Sequence, residues 1–294
     1  MDFYFSSNRI FIGIAAGCFG LLVVMLGGWW FSIAVGLIVH LALLEYFRMA
    51  KFTGIRPAIK TTLVSCQLLL LTTQLSMGGA LPEQIAAAVL PLSGAAICGW
   101  LLLQPETGSI SDISASIFGL FYLGFLPSHW IRLRNFSDID IVSGLHSMLG
   151  GLFNNISSGM AITLVACLMI VASDIGSYVL GRRFGQHNLS PISPQKTIEG
   201  AVGGFLCAIL IGSFAGLLFE WNFGLIIGGL LGALVALFAL VGDLTESMMK
   251  RNAGLKDSGD ALPGHGGILD RIDSYLFTPA VVYYAVVLLI PIFN

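Results

Sequence analysis

The sequence predicts an all-α, polytopic integral membrane protein with about nine transmembrane helices. Three observations predict it. Of 294 residues, 56% are hydrophobic and only 10% are charged, against roughly 25% charged in a soluble domain. The mean hydropathy is +0.89, too high for a soluble chain of this size to keep its apolar surface out of water. Nine apolar runs approach the ~20 residues that a helix needs to cross the hydrocarbon layer. Intrinsic disorder, a secreted disulfide scaffold and a coiled coil are excluded by the same composition. A net charge of −2 supplies no global basic field, so no nucleic-acid partner is expected.

In chain order the runs cover 10–28, 29–47, 61–78, 84–103, 113–131, 159–180, 201–220, 223–243 and 276–293. The N-terminal MDFYFSSNRI lacks the basic region and small-residue cleavage site of a secretory signal, so the first run is read as a retained span. Gly27-Gly28 joins the first two runs as a tight helical hairpin. The stretch 141–157 is short, either re-entrant or interfacial. The five cysteines (Cys18, Cys66, Cys98, Cys167, Cys207) each lie in an apolar run without a CxxC pair, so they read as small core residues. The 36 glycines include Gly150-Gly151, Gly203-Gly204 and Gly228-Gly229 in or beside the runs, where small residues let membrane helices approach closely.

Basic residues set the orientation. With the N-terminus cytoplasmic, Arg9, Arg48, Lys51, Arg56, Lys60, Arg182, Arg183, Lys196, Lys250, Arg251, Lys256 and Arg271 are inside, twelve of the 14 Lys and Arg residues. Only Arg132 and Arg134 fall outside. Nine spans then place the C-terminus outside.

The acidic residues of the second half are clustered. Asp174 follows the apolar run TLVACLMIVAS and Asp243 follows GALVALFALVG, both at the predicted cytoplasmic ends of spans. A carboxylate there is costly unless paired, solvated or metal-bound. If the helix continues past Asp243, then Glu246, Ser247 and Lys250 share its face. Asp270 and Asp273 have the same i, i+3 spacing. Between these two pairs lies a loop rich in glycine and cations. Carboxylate oxygens suit Mg²⁺, Gly-rich backbone cradles anions, and Lys and Arg neutralise phosphate. Together these are the components of phosphoryl or nucleotidyl transfer. A second cluster runs from Asp174 to Gly204. In it Thr197 is placed to cap the next helix and Lys196 to project at the helix entrance, an arrangement that attracts anions.

These residues resemble the signature of the CDP-diglyceride synthases, or phosphatidate cytidylyltransferases. The signature positions are Ser247, Met249, Lys250-Arg251, Lys256-Asp257, Gly259, Leu262, Pro263, His265-Gly266-Gly267, Ile268, Asp270-Arg271, Ile272 and Asp273, all at the family's spacing. Upstream, SPQKTIEG is similar to the family's Ser-Pro-Lys-Lys-Thr-x-Glu-Gly, with Gln195 in place of a common Lys. The motif resemblance spans about 174–275. It divides the chain into an N-terminal transmembrane part without a recognised motif, 1–158, and a catalytic transmembrane part, 159–294, with cytoplasmic loops 181–200 and 244–275.

The resemblance implies a multi-pass inner-membrane enzyme, a homodimer, that converts CTP and phosphatidic acid to CDP-diacylglycerol and pyrophosphate with Mg²⁺. A second cation is left open. The expected metal ligands are Asp243 and Asp270, then Asp273 and Glu246. Lys250, Arg251, Lys256 and Arg271 are the expected phosphate contacts, and Lys196 is expected to hold the lipid phosphate or the triphosphate. Ser193, Thr197, Glu199, Asp257, His265, Gly266 and Gly267 complete the substrate-binding set, with Asp174 on the site wall. A transporter would instead place its charges at mid-bilayer on broken helices. A CDP-alcohol phosphatidyltransferase would need an Asp-Gly-x-x-Ala-Arg motif that this sequence lacks.

Overall fold

A computed structural model describes residues 13, 17–137, 142, 144, 156–259 and 266–293. Among them the helices are, in chain order, α1 (Gly17–Leu26), α2 (Gly28–Phe52), α3 (Ile59–Met77), α4 (Glu83–Leu102), α5 (Ile110–Arg134), α6 (Ser158–Phe184), α7 (Ile198–Leu218), α8 (Gly224–Asn252) and α9 (Leu269–Ile292). Every predicted run has its helix, and the protein is an all-α polytopic membrane protein. Seven of these helices, all but α1 and α3, are long and apolar enough to cross a membrane. Most of the stretch 141–157, and the signature residues 260–265 with His265, lie outside the described residues.

Local chemistry explains the breaks. Gly27, the single residue between α1 and α2, has φ 62, a left-handed value that glycine adopts without a steric penalty. Ser109 and Asp112 form a reciprocal capping box at the start of α5. Helix α3 is diluted by Thr, Ser and Gln, and it returns the Thr72 and Thr73 hydroxyls to the carbonyls of Leu68 and Leu69 at 2.8 and 2.7 Å. Away from water, such back-bonding satisfies a hydroxyl that would otherwise be stranded.

One feature departs from the sequence reading. The loop 181–200 contains a short antiparallel hairpin of β1 (Asn188–Ser190) and β2 (Ser193–Thr197). The helices that carry Asp174 and Asp243 run past the ends of the apolar runs 159–180 and 223–243, as expected for Asp243. Helix α6 continues ten residues past Asp174, and α8 continues nine past Asp243. The extension LTESMMKRN is made mostly of good helix formers. Both helices also place basic pairs, Arg182-Arg183 and Lys250-Arg251, in the last turn, where the helix dipole favours them. The two carboxylates therefore sit within their helices, more than two turns from the ends.

Packing groups the chain into two compact units. Unit 1 comprises Met1–Phe125 and Ala253–Arg271, and unit 2 comprises Leu126–Asn252 and Ile272–Asn294. This grouping differs from the division at 158/159, which follows motif content, because the signature loop packs with N-terminal helices. In unit 2, α7 buries a stripe of small residues including Gly204, Ala208, Gly212 and Gly216. On its other side Leu206, Leu210, Phe214 and Leu217 are exposed, the arrangement expected of a lipid-facing helix. Gly212 and Gly216 meet Gly228 and Gly224 of α8 so closely that a Cβ at any of the four would strike a backbone carbonyl. Gly228→Leu is therefore expected to lower stability by about 3 kcal/mol, read as a lower unfolding temperature in detergent. Leu210→Ala, on the exposed side, should leave that temperature nearly unchanged.

Candidate functional site

Within unit 2 the acidic residues come from three helices. Asp174 lies on α6, Asp243 on α8 and Asp273 in the tight turn near the start of α9. The three lie within electrostatic reach of one another and of Lys196. Lys196 projects from β2, and its Nζ donates to Asp243 Oδ2. Lys196 and Asp243 are each about a quarter exposed, so solvent and solutes reach the pair. Asp174 Oδ1 accepts from Ser274 Oγ at 3.5 Å, and Asp273 Oδ1 from the Ser274 amide at 2.7 Å. Gly242 lies against the Asp273 carbonyl, where a side chain would not fit. This close approach sets α8 against the Asp273 turn.

Three carboxylates against one ammonium leave excess negative charge, an environment that attracts cations. Their hard oxygens suit Mg²⁺, which takes one or two protein carboxylates and fills its remaining positions with water and phosphate oxygens. Among the described residues, no three His, Cys, Asp or Glu side chains converge closely enough to enclose an ion unaided. Such a set would hold an ion only in part, leaving positions for water or other oxygen ligands.

The rest of the unit 2 set supports this centre. The predicted helical continuation past Asp243 holds: Glu246 and Ser247 are buried, and Lys250 ion-pairs with Glu246. Arg251 Nε reaches the Ile192 carbonyl at 3.5 Å, tying the end of α8 to the hairpin. Thr197 caps α7, accepting from the Gly200 amide at 3.1 Å. Glu199 accepts from the Gln186 and His187 amides at 3.1 and 3.3 Å, and pairs with His187 Nδ1 at 2.6 Å. Glu199 thus closes the hairpin loop. Ser193 pairs with Ser190 across the hairpin.

Within unit 1, Asp270 organises the signature loop. Its Oδ2 accepts from the Ser258 amide, the Ser258 hydroxyl and the Gly267 amide at 2.9, 2.9 and 2.8 Å. Gly266 has φ 79, and a Cβ there would meet Asp270 Oδ2 at 2.8 Å. Lys256, Asp257 and Arg271 are exposed beside this loop.

Sequence reasoning missed Glu45. It sits in the α2 run HLALLEYFRMA and is only 8% exposed. Its carboxylate accepts from Ser258 Oγ, the Ile268 amide and the Leu269 amide at 2.9, 2.9 and 2.8 Å. The available signal was an acidic side chain in a membrane span, which is expensive unless it has a task.

Over residues 7–289 the chain matches the cytidylyltransferase family. It is 47% identical to a phosphatidate cytidylyltransferase of Synechocystis sp., with 96% of each chain covered. It is 36% identical to the chloroplastic phosphatidate cytidylyltransferase 5 of Arabidopsis thaliana, over 94% of this chain and 70% of the relative. A phosphatidate cytidylyltransferase of Bacillus subtilis is 29% identical, over 96% of this chain and 97% of its own length. With a family match over nearly its whole length, the chain belongs to the cytidylyltransferase family, a family of nucleotidyltransferases.

Proposed function

We propose that this protein transfers CMP from CTP to phosphatidic acid, giving CDP-diacylglycerol and pyrophosphate. The observation that carries the reading is the gathering of Asp174, Asp243 and Asp273 around Lys196. The names of the relatives support the same substrate pair. A phosphatidate oxygen attacks the α-phosphorus of CTP, and the bond from that phosphorus to the α–β bridging oxygen breaks, so that pyrophosphate leaves with the electron pair. The nucleophile is already an anion near neutral pH, so no protein base has to activate it. Positioning and charge neutralisation are the tasks left to the protein.

In this reading Asp243 and Asp273 hold Mg²⁺ in unit 2, with Asp174 raising the local negative charge. The ion, when bound, neutralises the triphosphate and stabilises the departing pyrophosphate. Lys196 stands beside Asp243 and exchanges that partner for substrate phosphate. Lys250, Arg251, Lys256 and Arg271 contact phosphate oxygens, with Glu246 fixing the Lys250 side chain. In unit 1, Asp270 sets the signature loop through Oδ2 and is the proposed cation ligand of that unit. The enzyme works as a homodimer in the inner membrane, with its N-terminus and charged face in the cytoplasm. The bias of basic residues toward that side supports this orientation.

Purified protein in phosphatidate-containing nanodiscs tests the reading. CDP-lipid should form only when CTP, phosphatidate and Mg²⁺ are all present. EDTA should abolish the reaction and excess Mg²⁺ should restore it. Full activity in EDTA would remove the metal from the mechanism. Solute flux across proteoliposomes without nucleotide, in place of product formation, would mark a transporter.

A further inference from the structure

Glu45 lies in the half of the chain without a recognised motif, yet its partners all belong to the signature loop. They stand 213 to 224 residues away in the sequence. One carboxylate takes a hydroxyl and two successive backbone amides, Ile268 and Leu269. These amides open the turn that carries Asp270. Ser258 Oγ lies at 2.9 Å from both Glu45 Oε2 and Asp270 Oδ2, so its one proton is shared between the two carboxylates. The loop glycines have the complementary shape. The three atoms nearest to a Cβ on Gly259 would all belong to Glu45, at 2.7, 2.8 and 3.0 Å. A Cβ on Gly267 would strike both Glu45 and Ser258. Glycine at these two places leaves room for a carboxylate from α2.

We infer that Glu45 is a positioning residue for the reaction: it holds the Gly266-Gly267 turn and Asp270 in the geometry that receives the nucleotide. The inference rests on the proposed cytidylyltransferase reaction. The alternative for a buried acid on a membrane helix is a purely structural tie between α2 and the loop. The two differ in what the loop does once released. A positioning role predicts a weaker grip on CTP with an unchanged response to phosphatidate, whereas a structural tie predicts equal loss for both substrates.

Three variants make the test: Glu45→Gln, Glu45→Ala and Gly259→Ala. Glu45→Gln keeps the volume and removes the charge, so it remains informative if the Ala variant does not fold. Loss of charged acceptors should raise the KM for CTP about tenfold or more, with the KM for phosphatidate unchanged. Gly259→Ala alone should reproduce the effect by displacing the carboxylate. Combined with Glu45→Ala it should add no further loss, because the atoms its Cβ would strike are gone. Independently of activity, hydrogen exchange at the Ile268 and Leu269 amides should accelerate in Glu45→Gln. Wild-type rates and exchange in Glu45→Gln, equal loss for both substrates, or multiplying losses in the double variant would overturn the inference. A wild-type enzyme that makes no CDP-lipid would instead overturn the reaction, and the exchange measurement would still judge the contact.

Discussion

Asp243→Asn is expected to lower turnover at saturating CTP and phosphatidate by about 100- to 1,000-fold, the range seen when one preorganised electrostatic group is lost. Asparagine preserves the volume and the α8 helix but removes the charge that faces Lys196. It also replaces a hard anionic ligand with a neutral one, so the Mg²⁺ concentration for half-activation should rise. A competing role, in which Asp243 merely anchors Lys196, makes a different forecast. Neutralising both partners, as in Asp243→Asn with Lys196→Met, would then restore activity by removing an unpaired charge. In the proposed mechanism the double variant stays inactive, since it lacks both an ion ligand and the cation that contacts substrate phosphate. Arg132→Ala, far along the chain from either motif, serves as the control and should turn over near the wild-type rate. Near-wild-type turnover in Asp243→Asn would remove the metal assignment in unit 2.

Asp270→Asn is expected to produce a comparable loss with a different signature. One oxygen of Asp270 accepts three hydrogen bonds from Ser258 and Gly267. Hydrogen bonds to a charged group contribute about 1.5–3 kcal/mol each. A neutral amide either weakens all three or turns its NH₂ toward donors. Turnover should fall about 100-fold and the KM for CTP should rise. Hydrogen exchange should quicken in 256–259 and 266–269 while α6, α7 and α8 stay protected. Exchange that is unchanged, with turnover still lost, would confine Asp270 to direct contact with the ion or nucleotide. Exchange that quickens throughout the protein would make it a residue of global stability.

The helices were legible because a span in lipid announces itself by hydropathy over some twenty residues, with no tertiary information required. The extension of α8 was legible for a different reason, the i, i+3, i+4 spacing of Asp243, Glu246 and Ser247. The extension of α6 past Asp174 carries no such pattern. Strands of three and five residues are too short to display alternation, so the hairpin gave no signal. The Thr197 cap was readable because capping is local, and the glycine packing of α7 on α8 because small residues recur along both helices. The pairing of Lys196 with Asp243 was not, since each was recognised in its own motif and nothing local links them. Asp174 had no role until the fold placed it beside Asp243 and Asp273. Glu45 marks the limit most clearly. Its partners are more than 200 residues away, and a lone acid in an apolar run says that something must satisfy it without saying what.

The most direct measurement of the central claim follows the phosphorus atoms. CTP radiolabelled on either the α- or the γ-phosphate is given to the reconstituted enzyme with phosphatidate and Mg²⁺. Attack at the α-phosphorus predicts that the α label moves into the lipid fraction while the γ label leaves as pyrophosphate, in equal molar amounts. Label from the γ position in the lipid, or nucleotide consumed without α label in the lipid, would contradict it.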